Sequence, residues 1–220
     1  MPNSPTTSTV VGRALHDGVL RGIDDPVTTY VDIEGGYAEP TIRDVMMMSS
    51  GVNFFHHQGT PNRLDMYARI WIGDEDMGGD AIWSQHADGE AGHAFGHACL
   101  CPRLLEFAHL GQLYIQDGVW NGRRLLPEGF VAESGSPRAP FQEPSEGERG
   151  YGYQWWVPWR SRGESMALGA FGQILWVDLE RGVSIAQFAD HGGGENGEPD
   201  PEGTEDTHAA MRAIAAAVAG

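Results

Sequence analysis

The stretch Gln173-Ile174-Leu175-Trp176-Val177-Asp178-Leu179-Glu180-Arg181-Gly182-Val183-Ser184-Ile185-Ala186-Gln187-Phe188 reads as two apolar β-prone runs around a short loop carrying glycine. That is hairpin chemistry: Gln173 to Val177 and Val183 to Phe188 are strand-like, and Asp178 to Gly182 turns the chain between them. Just upstream, Tyr151 to Val157 is aromatic and equally β-prone, so the three runs together predict an antiparallel meander. Downstream, residues 191–206 read as a Gly- and acid-rich loop. Thr207 to Ala219 is Ala-rich and predicts a closing helix.

Helices are expected toward the N-terminal side. Pro102 suits the first turn of one, with Leu104, Leu105, Phe107, Ala108, Leu110 and Leu113 as its apolar positions and Gly118 at its end. Residues 8–20 predict another, with Val10, Val11, Ala14 and Leu15 at helical spacing. Asp24-Asp25-Pro26 marks a turn, and Thr41 caps a short helix from Ile42 to Met48 that ends at Ser49-Ser50-Gly51. Asn53 to Asn62 is polar and turn-rich, residues 133–150 read as a loop, and no internal repeat is visible.

A chain of 220 residues fits one domain with a small lobe, and 40% apolar content with seven Trp marks it as globular. Its 31 acidic against 14 basic residues give a net charge of −17, which argues against nucleic acid or anionic lipid as a partner. All fourteen basic residues are Arg. Cys99 and Cys101, with one residue between them, are poorly placed for a disulfide and read as reduced thiols. No run approaches the ~20 apolar residues of a membrane span. Residues 1–20 lack a basic start followed by an apolar run, so the expectation is a cytoplasmic protein.

Four segments, taken in order, resemble one family. They are Ser8-Thr9-Val10-Val11-Gly12 with His16-Asp17-Gly18 and Ile23-Asp24-Asp25-Pro26-Val27; Thr41-Ile42-Arg43-Asp44-Val45 with Met48-Ser49-Ser50-Gly51-Val52; Leu110-Gly111-Gln112-Leu113 with Asp117-Gly118 and Trp120-Asn121-Gly122; and Tyr151-Gly152-Tyr153-Gln154-Trp155-Trp156 with Gly169-Ala170-Phe171-Gly172-Gln173. The ordered set is similar to the β-lactamase-related serine hydrolases, closest to the branch of 6-aminohexanoate-dimer hydrolases. The resemblance implies an α+β fold, an antiparallel sheet flanked by helices with a reduced helical lobe. Residues 41–116 would form the lobe, and 117–220 the sheet and closing helix.

The family's chemistry uses Ser-x-x-Lys on one helix face, so that the amine takes the serine proton, a Tyr that relays protons, and a Gly-rich strand that supplies an oxyanion donor. Matching Ser8 to Gly12 without gaps puts the nucleophile near Met1 and the lysine near Ser4. The sequence contains no lysine, and arginine, with a pKa above ~12, is no general base. The resemblance thus implies a member shortened at its start. It also implies an internal deletion, because Gly51 reaches Ile70-Trp71 without the usual Tyr segment. Ser4 and Tyr67 are the remaining candidates for nucleophile and relay. Gly169, Ala170, Phe171, Gly172 and Gln173 correspond to the oxyanion strand and are expected to enter a strand at a sheet edge facing an open groove.

Other residues invite sharper readings. Gly163-Glu164-Ser165-Met166-Ala167 imitates a nucleophile elbow, but the strand-like run after it favours a loop between strands. His93, His97, Cys99 and Cys101 are dense in zinc-ligand types, and His93 and His97 would share a face if helical. Gly92 and Gly96 oppose a helix there and the spacing fits no standard site, so neither a metal nor any other cofactor is expected. His56-His57 could serve as a base for Ser49 or Ser50 and otherwise are loop histidines. Tyr153, Trp155 and Trp156 could line a cleft, or alternate between core and surface.

The function expected is therefore hydrolysis of a small-molecule amide or ester by descent, impaired by the missing serine–lysine pair. A non-catalytic binding module is the alternative, and a metal-dependent enzyme built on His93 and its neighbours the outsider. Uncovered aromatic surface would favour a homodimer.

Overall fold

From its N-terminal side the chain forms α1 (Ser4–His16), a 3-10 turn at Val27–Thr29, α2 (Ile42–Met46), paired strands β1 (Gln85–His86) and β2 (His93–Ala94), and α3 (Leu104–Ile115). Then come the hairpin of β3 (Val119–Trp120) and β4 (Arg123–Arg124), α4 (Phe130–Ser134), the strands β5 (Gly150–Tyr151), β6 (Trp156–Val157), β7 (Glu164–Leu168), β8 (Ile174–Asp178) and β9 (Val183–Gln187), and finally α5 (Pro201–Ala219). This computed structural model describes residues 4–32, 39–50, 85–86, 93–94, 102–139, 142–146, 148–161, 163–169, 172–189 and 201–219.

Strands β5 to β9 form one antiparallel sheet in sequence order, so the predicted meander is present. Its centre is the hairpin read from Gln173 to Phe188, registered from Ile174↔Gln187 to Asp178↔Val183. Asp178, fully buried, accepts from the Arg181 backbone N–H at 2.9 Å and from its guanidinium at 2.6 Å, which closes the turn. Side chains alternate across the sheet. Ile174 and Trp176 of β8 join Met166 of β7 and, from α5, Met211 and Ala215. Leu175 and Val177 point the other way, with Ala167, into the core shared with Phe107, Leu113 and Tyr114 of α3. With helices on both faces, every residue of β8 is buried.

Trp155 and Trp176 have no exposed surface, and their indole N–H groups have no partner. An unpartnered buried donor costs roughly 1–3 kcal/mol. Burying roughly 200 Å² of ring returns about 5 kcal/mol, so packing wins at both positions. On the second face, α3 meets β9 closely: a Cβ on Gly111 would lie 2.8 Å from Ser184 Cβ.

Local signals explain the helix ends. Thr41 caps α2 as expected, its hydroxyl accepting from the Asp44 N–H while the Asp44 carboxylate accepts from the Thr41 N–H. The helix stops at Met46, two residues short of the expected Met48. Two glutamines hold its end: Gln154 donates to Met46 O through its backbone and side chain, and the Gln142 side chain donates to Met47 O at 2.9 Å. Pro102 stands just ahead of the Arg103 N-cap of α3. Asn121 and Gly122, both at positive φ, make the two-residue turn between β3 and β4.

Five expectations need correction. Tyr151 to Val157 is not one strand but a tight hairpin, with Tyr151 opposite Trp156 and the Gly152 N–H bonded to Trp155 O. Gly152 permits it, since a Cβ there would sit 2.1 Å from Ser134 O. Glu164 to Leu168 is a central strand, not a loop. The loop read over 133–150 is entered by α4, and α5 starts at Pro201, six residues before Thr207, on the proline that suits a first turn. Helix α1 spans Ser4 to His16 rather than 8–20, because Gly18 at φ +72° turns the chain away.

Candidate functional site

The turn joining β7 to β8 holds the residues matched to the oxyanion strand. Gly169 N–H donates to Gln173 O at 2.8 Å, and Gly172 is buried at φ +90°, where a side chain would be strained. The Gln187 side chain donates to Gly172 O at 3.4 Å, and the Gln173 amide to Ala189 O at 3.3 Å. Gln173 Oε1 is buried with no hydrogen-bond partner. Ala170 and Phe171 lie outside the described residues. The segment leads into an inner strand pair, β7–β8, rather than the sheet edge expected from the sequence.

Helix α1 begins at Ser4. Pro5, Ser8 and Gly12 lie on its buried face, and Gly12 is needed there because a Cβ would come within 2.6 Å of the Phe130 ring. Thr9 Oγ1 donates to Pro5 O at 2.8 Å and lies 3.3 Å from the Tyr114 hydroxyl. The hydroxyls of Thr6 and Ser8 are buried without partners. Tyr114 in turn packs on Trp155, with ring centroids 4.6 Å apart. The structure thus brings the polar face of α1 to Tyr114 and, through it, to the β5–β6 hairpin.

The aromatic residues of that hairpin divide sharply. Tyr153 and Trp155 are fully buried; the Tyr153 hydroxyl donates to Glu133 at 2.9 Å, and the Arg43 guanidinium lies over its ring. Both fasten the hairpin to the core. Trp156 is 38% exposed and packs edge-on against Tyr151. Of the three candidate cleft residues, it alone presents surface.

His93 lies in strand β2, opposite His86, so the helical face it would have shared with His97 does not form at that residue. His56, His57, Tyr67, His97, Cys99 and Cys101 lie outside the described residues. Among the described residues no group of three or more His, Cys, Asp or Glu could hold a metal ion.

One cluster was missed in the sequence. Glu164, on β7 and 4% exposed, receives His208 Nε2 at 3.1 Å and the Arg212 guanidinium at 2.7 to 3.1 Å, both from α5. A carboxylate only accepts, so Nε2 of His208 carries the hydrogen. Burial pushes the Glu164 carboxyl up; the hydrogen bonds from His208 and Arg212, with the guanidinium charge, outweigh it and hold the group below the ordinary carboxylate range. The signal was present: His208 and Arg212 stand four apart in an Ala-rich helix and bracket Met211 on its buried face. The cluster ties α5 to the sheet.

No family model matches this sequence, and no curated protein sequence matches it. Solved structures do. The chain superposes on one titled "Putative 6-aminohexanoate-dimer hydrolase from Bacillus anthracis" with a TM-score of 0.72 at 17% identity, over 98% of this chain and 71% of that one. A second, titled "Crystal structure of putative beta-lactamase from Bacteroides dorei DSM 17855", gives a TM-score of 0.55 at 15% identity, over 86% of this chain and 77% of that one. At such identities the likeness establishes the fold: an α+β arrangement of the β-lactamase-like type.

Proposed function

We propose that this chain, built on a β-lactamase-like fold, is related by descent to the serine hydrolases and binds a small amide or ester without running their acyl-enzyme reaction. One observation carries the reading: there is no lysine in the sequence to accept a serine proton. Ser4 heads α1, but the residue three further on is Thr7, and for Ser8 it is Val11. Neither a hydroxyl nor an alkyl group is a base at neutral pH. Without an activated nucleophile the covalent route is lost, and only binding and backbone donors remain.

The reading places binding at the β7–β8 turn, whose sequence from Gly169 to Gln173 matches the oxyanion strand of those hydrolases. The net charge of −17 turns the protein away from nucleic acid and anionic membranes. Among the described residues no helix is long and apolar enough to cross a membrane.

The test is intact-mass spectrometry of the protein after exposure to a fluorophosphonate probe, with hydrolysis of a β-lactam and of a linear amide dimer followed in parallel. No adduct and no turnover above background is the expected result. A stoichiometric adduct that disappears in Ser4→Ala would overturn the proposal and make Ser4 a nucleophile.

A further inference from the structure

Asn121 and Gly122 form the tip of the β3–β4 hairpin, with Trp120 opposite Arg123 behind them. A two-residue turn of this kind takes positive φ at both positions, and Asn121 at +50° and Gly122 at +75° supply it. Both residues are exposed to water. The pair suits the turn, and it carries a chemical consequence. An asparagine side-chain amide can be attacked by the backbone nitrogen of the next residue, and glycine places no Cβ in the path of that attack.

Two features favour the attack at this tip. The first is charge. Arg123 and Arg124 follow directly, and Arg123 is exposed. A nearby positive charge favours the deprotonated amide nitrogen that acts as nucleophile. The second is local freedom. Rotation that carries the Gly122 nitrogen to Asn121 Cγ unmakes the turn, but β3 and β4 are only two residues each, so little pairing has to open. The base of the hairpin stays fastened meanwhile. Gly118 O accepts from the Leu125 and Leu126 N–H groups at 2.7 and 3.2 Å, and the Arg124 guanidinium donates to Asp117 O at 2.8 Å. Trp120 also packs edge-on against His109, with ring centroids 5.2 Å apart. The tip can therefore open while the domain stays folded.

We propose that Asn121 is a site of self-modification, where the chain converts its own asparagine to aspartate and isoaspartate. The Gly122 nitrogen gives up its proton and bonds to Asn121 Cγ; the Cγ–Nδ2 bond breaks and ammonia leaves, closing a cyclic imide. Water then opens the ring. Cleavage at Cγ leaves aspartate in the ordinary backbone, and cleavage at the Asn121 carbonyl carbon leaves isoaspartate, with the chain running through the former side chain. No oxidant or reductant enters. Either product sets a new carboxylate beside Arg123. Asp-Gly still suits the two-residue turn, whereas the isoaspartyl link adds a backbone carbon and slackens it. This site is separate from the β7–β8 turn and does not depend on any chemistry there.

The test holds the full, folded chain warm at mildly alkaline pH and follows it by peptide mapping with mass spectrometry. An isoaspartate-specific methyltransferase serves as a second readout. Position 121 should gain the mass of –NH2 replaced by –OH, as two chromatographically separate products, one of them a methyl acceptor. It should convert ahead of the sequence's other Asn-Gly pair, Asn196-Gly197, which stands between Glu195 and Glu198 and lies outside the described residues. Conversion should slow several-fold in Gly122→Ala, where a Cβ hinders ring closure, and measurably in Arg123→Gln. Hydrogen exchange in the aged chain should quicken over residues 119–124 and stay unchanged in β7 and β8. An Asn121 that persists in the folded chain while the urea-unfolded chain converts there would overturn the proposal, by showing that the turn protects it. Conversion at Asn196 alone, or an equal rate in Gly122→Ala, would overturn it too.

Discussion

Replacing Glu164 by Gln tests what holds α5 to the sheet. The carboxylate is 4% exposed and accepts from His208 and Arg212. Removing one partner of a fully buried ion pair costs roughly 3–5 kcal/mol. Here the Arg212 side chain is 38% exposed and can turn to water, which lowers the figure. His208 is buried and cannot, and its N–H would face a neutral, partly mismatched amide. Losing hydrogen bonds to a charged acceptor then puts the cost at about 2–3 kcal/mol. For a domain of this size that lowers Tm by roughly 5–10 °C. Urea unfolding of Glu164→Gln, Arg212→Gln and the double variant gives the coupling energy, expected at about 1 kcal/mol or more. pH adds a second reading. Glu164 titrates lower in the folded protein than its unfolded value of about 4.3, so its contribution is complete above that pH and is lost as pH falls through the folded value. The stability gap between wild type and Glu164→Gln should therefore close in acid. A cost below about 0.5 kcal/mol, additive single effects, or a gap unchanged between neutral pH and about pH 3 would refute the latch.

Two glycines should respond very differently to alanine. Gly152→Ala would press a Cβ against Ser134 O, which is pinned by the Tyr153 N–H, and should cost at least about 2–3 kcal/mol in unfolding free energy. Gly122→Ala meets nothing within 4 Å and should cost about 1 kcal/mol from its φ of +75° alone; equal effects would undo the distinction. Elemental analysis of untagged protein should find well under one zinc per chain, and one equivalent removed by Cys99→Ala/Cys101→Ala would revive a metal site.

What the sequence disclosed was local. The β8–β9 hairpin, the Thr41 cap and the core stripe of α3 each rest on neighbours within a few residues. What it concealed was decided across the chain. Residues 163–167 read as a loop because a strand-like run follows them, and what seats the Glu164 carboxylate in a central strand is not local. Its partners lie 44 and 48 residues away on α5. The aromatic run from Tyr151 to Val157 has strand propensity throughout, yet Gly152 and Gln154, the latter at φ +63°, fold it back against Ser134 and Met46. For the candidate site, Gly169 and Gln173 flank the turn between two inner strands and not a sheet edge, a position set by pairing with strands on both sides. Tyr67, Ala170 and Phe171 fall outside the described residues.

The two glutamines at the end of α2 have a consequence for how the chain comes together. In the meander, each strand pairs with the next, so its loops are short and their closure costs little entropy. Gln142 and Gln154 reach the Met47 and Met46 carbonyls across 95 and 108 residues. Those bonds cannot form until the meander has positioned their donors, and they tie down a helix of only five residues. The molecule is thus a locally assembled sheet to which its early helices are fastened late, by a few long-range polar ties that are also the first free to let go.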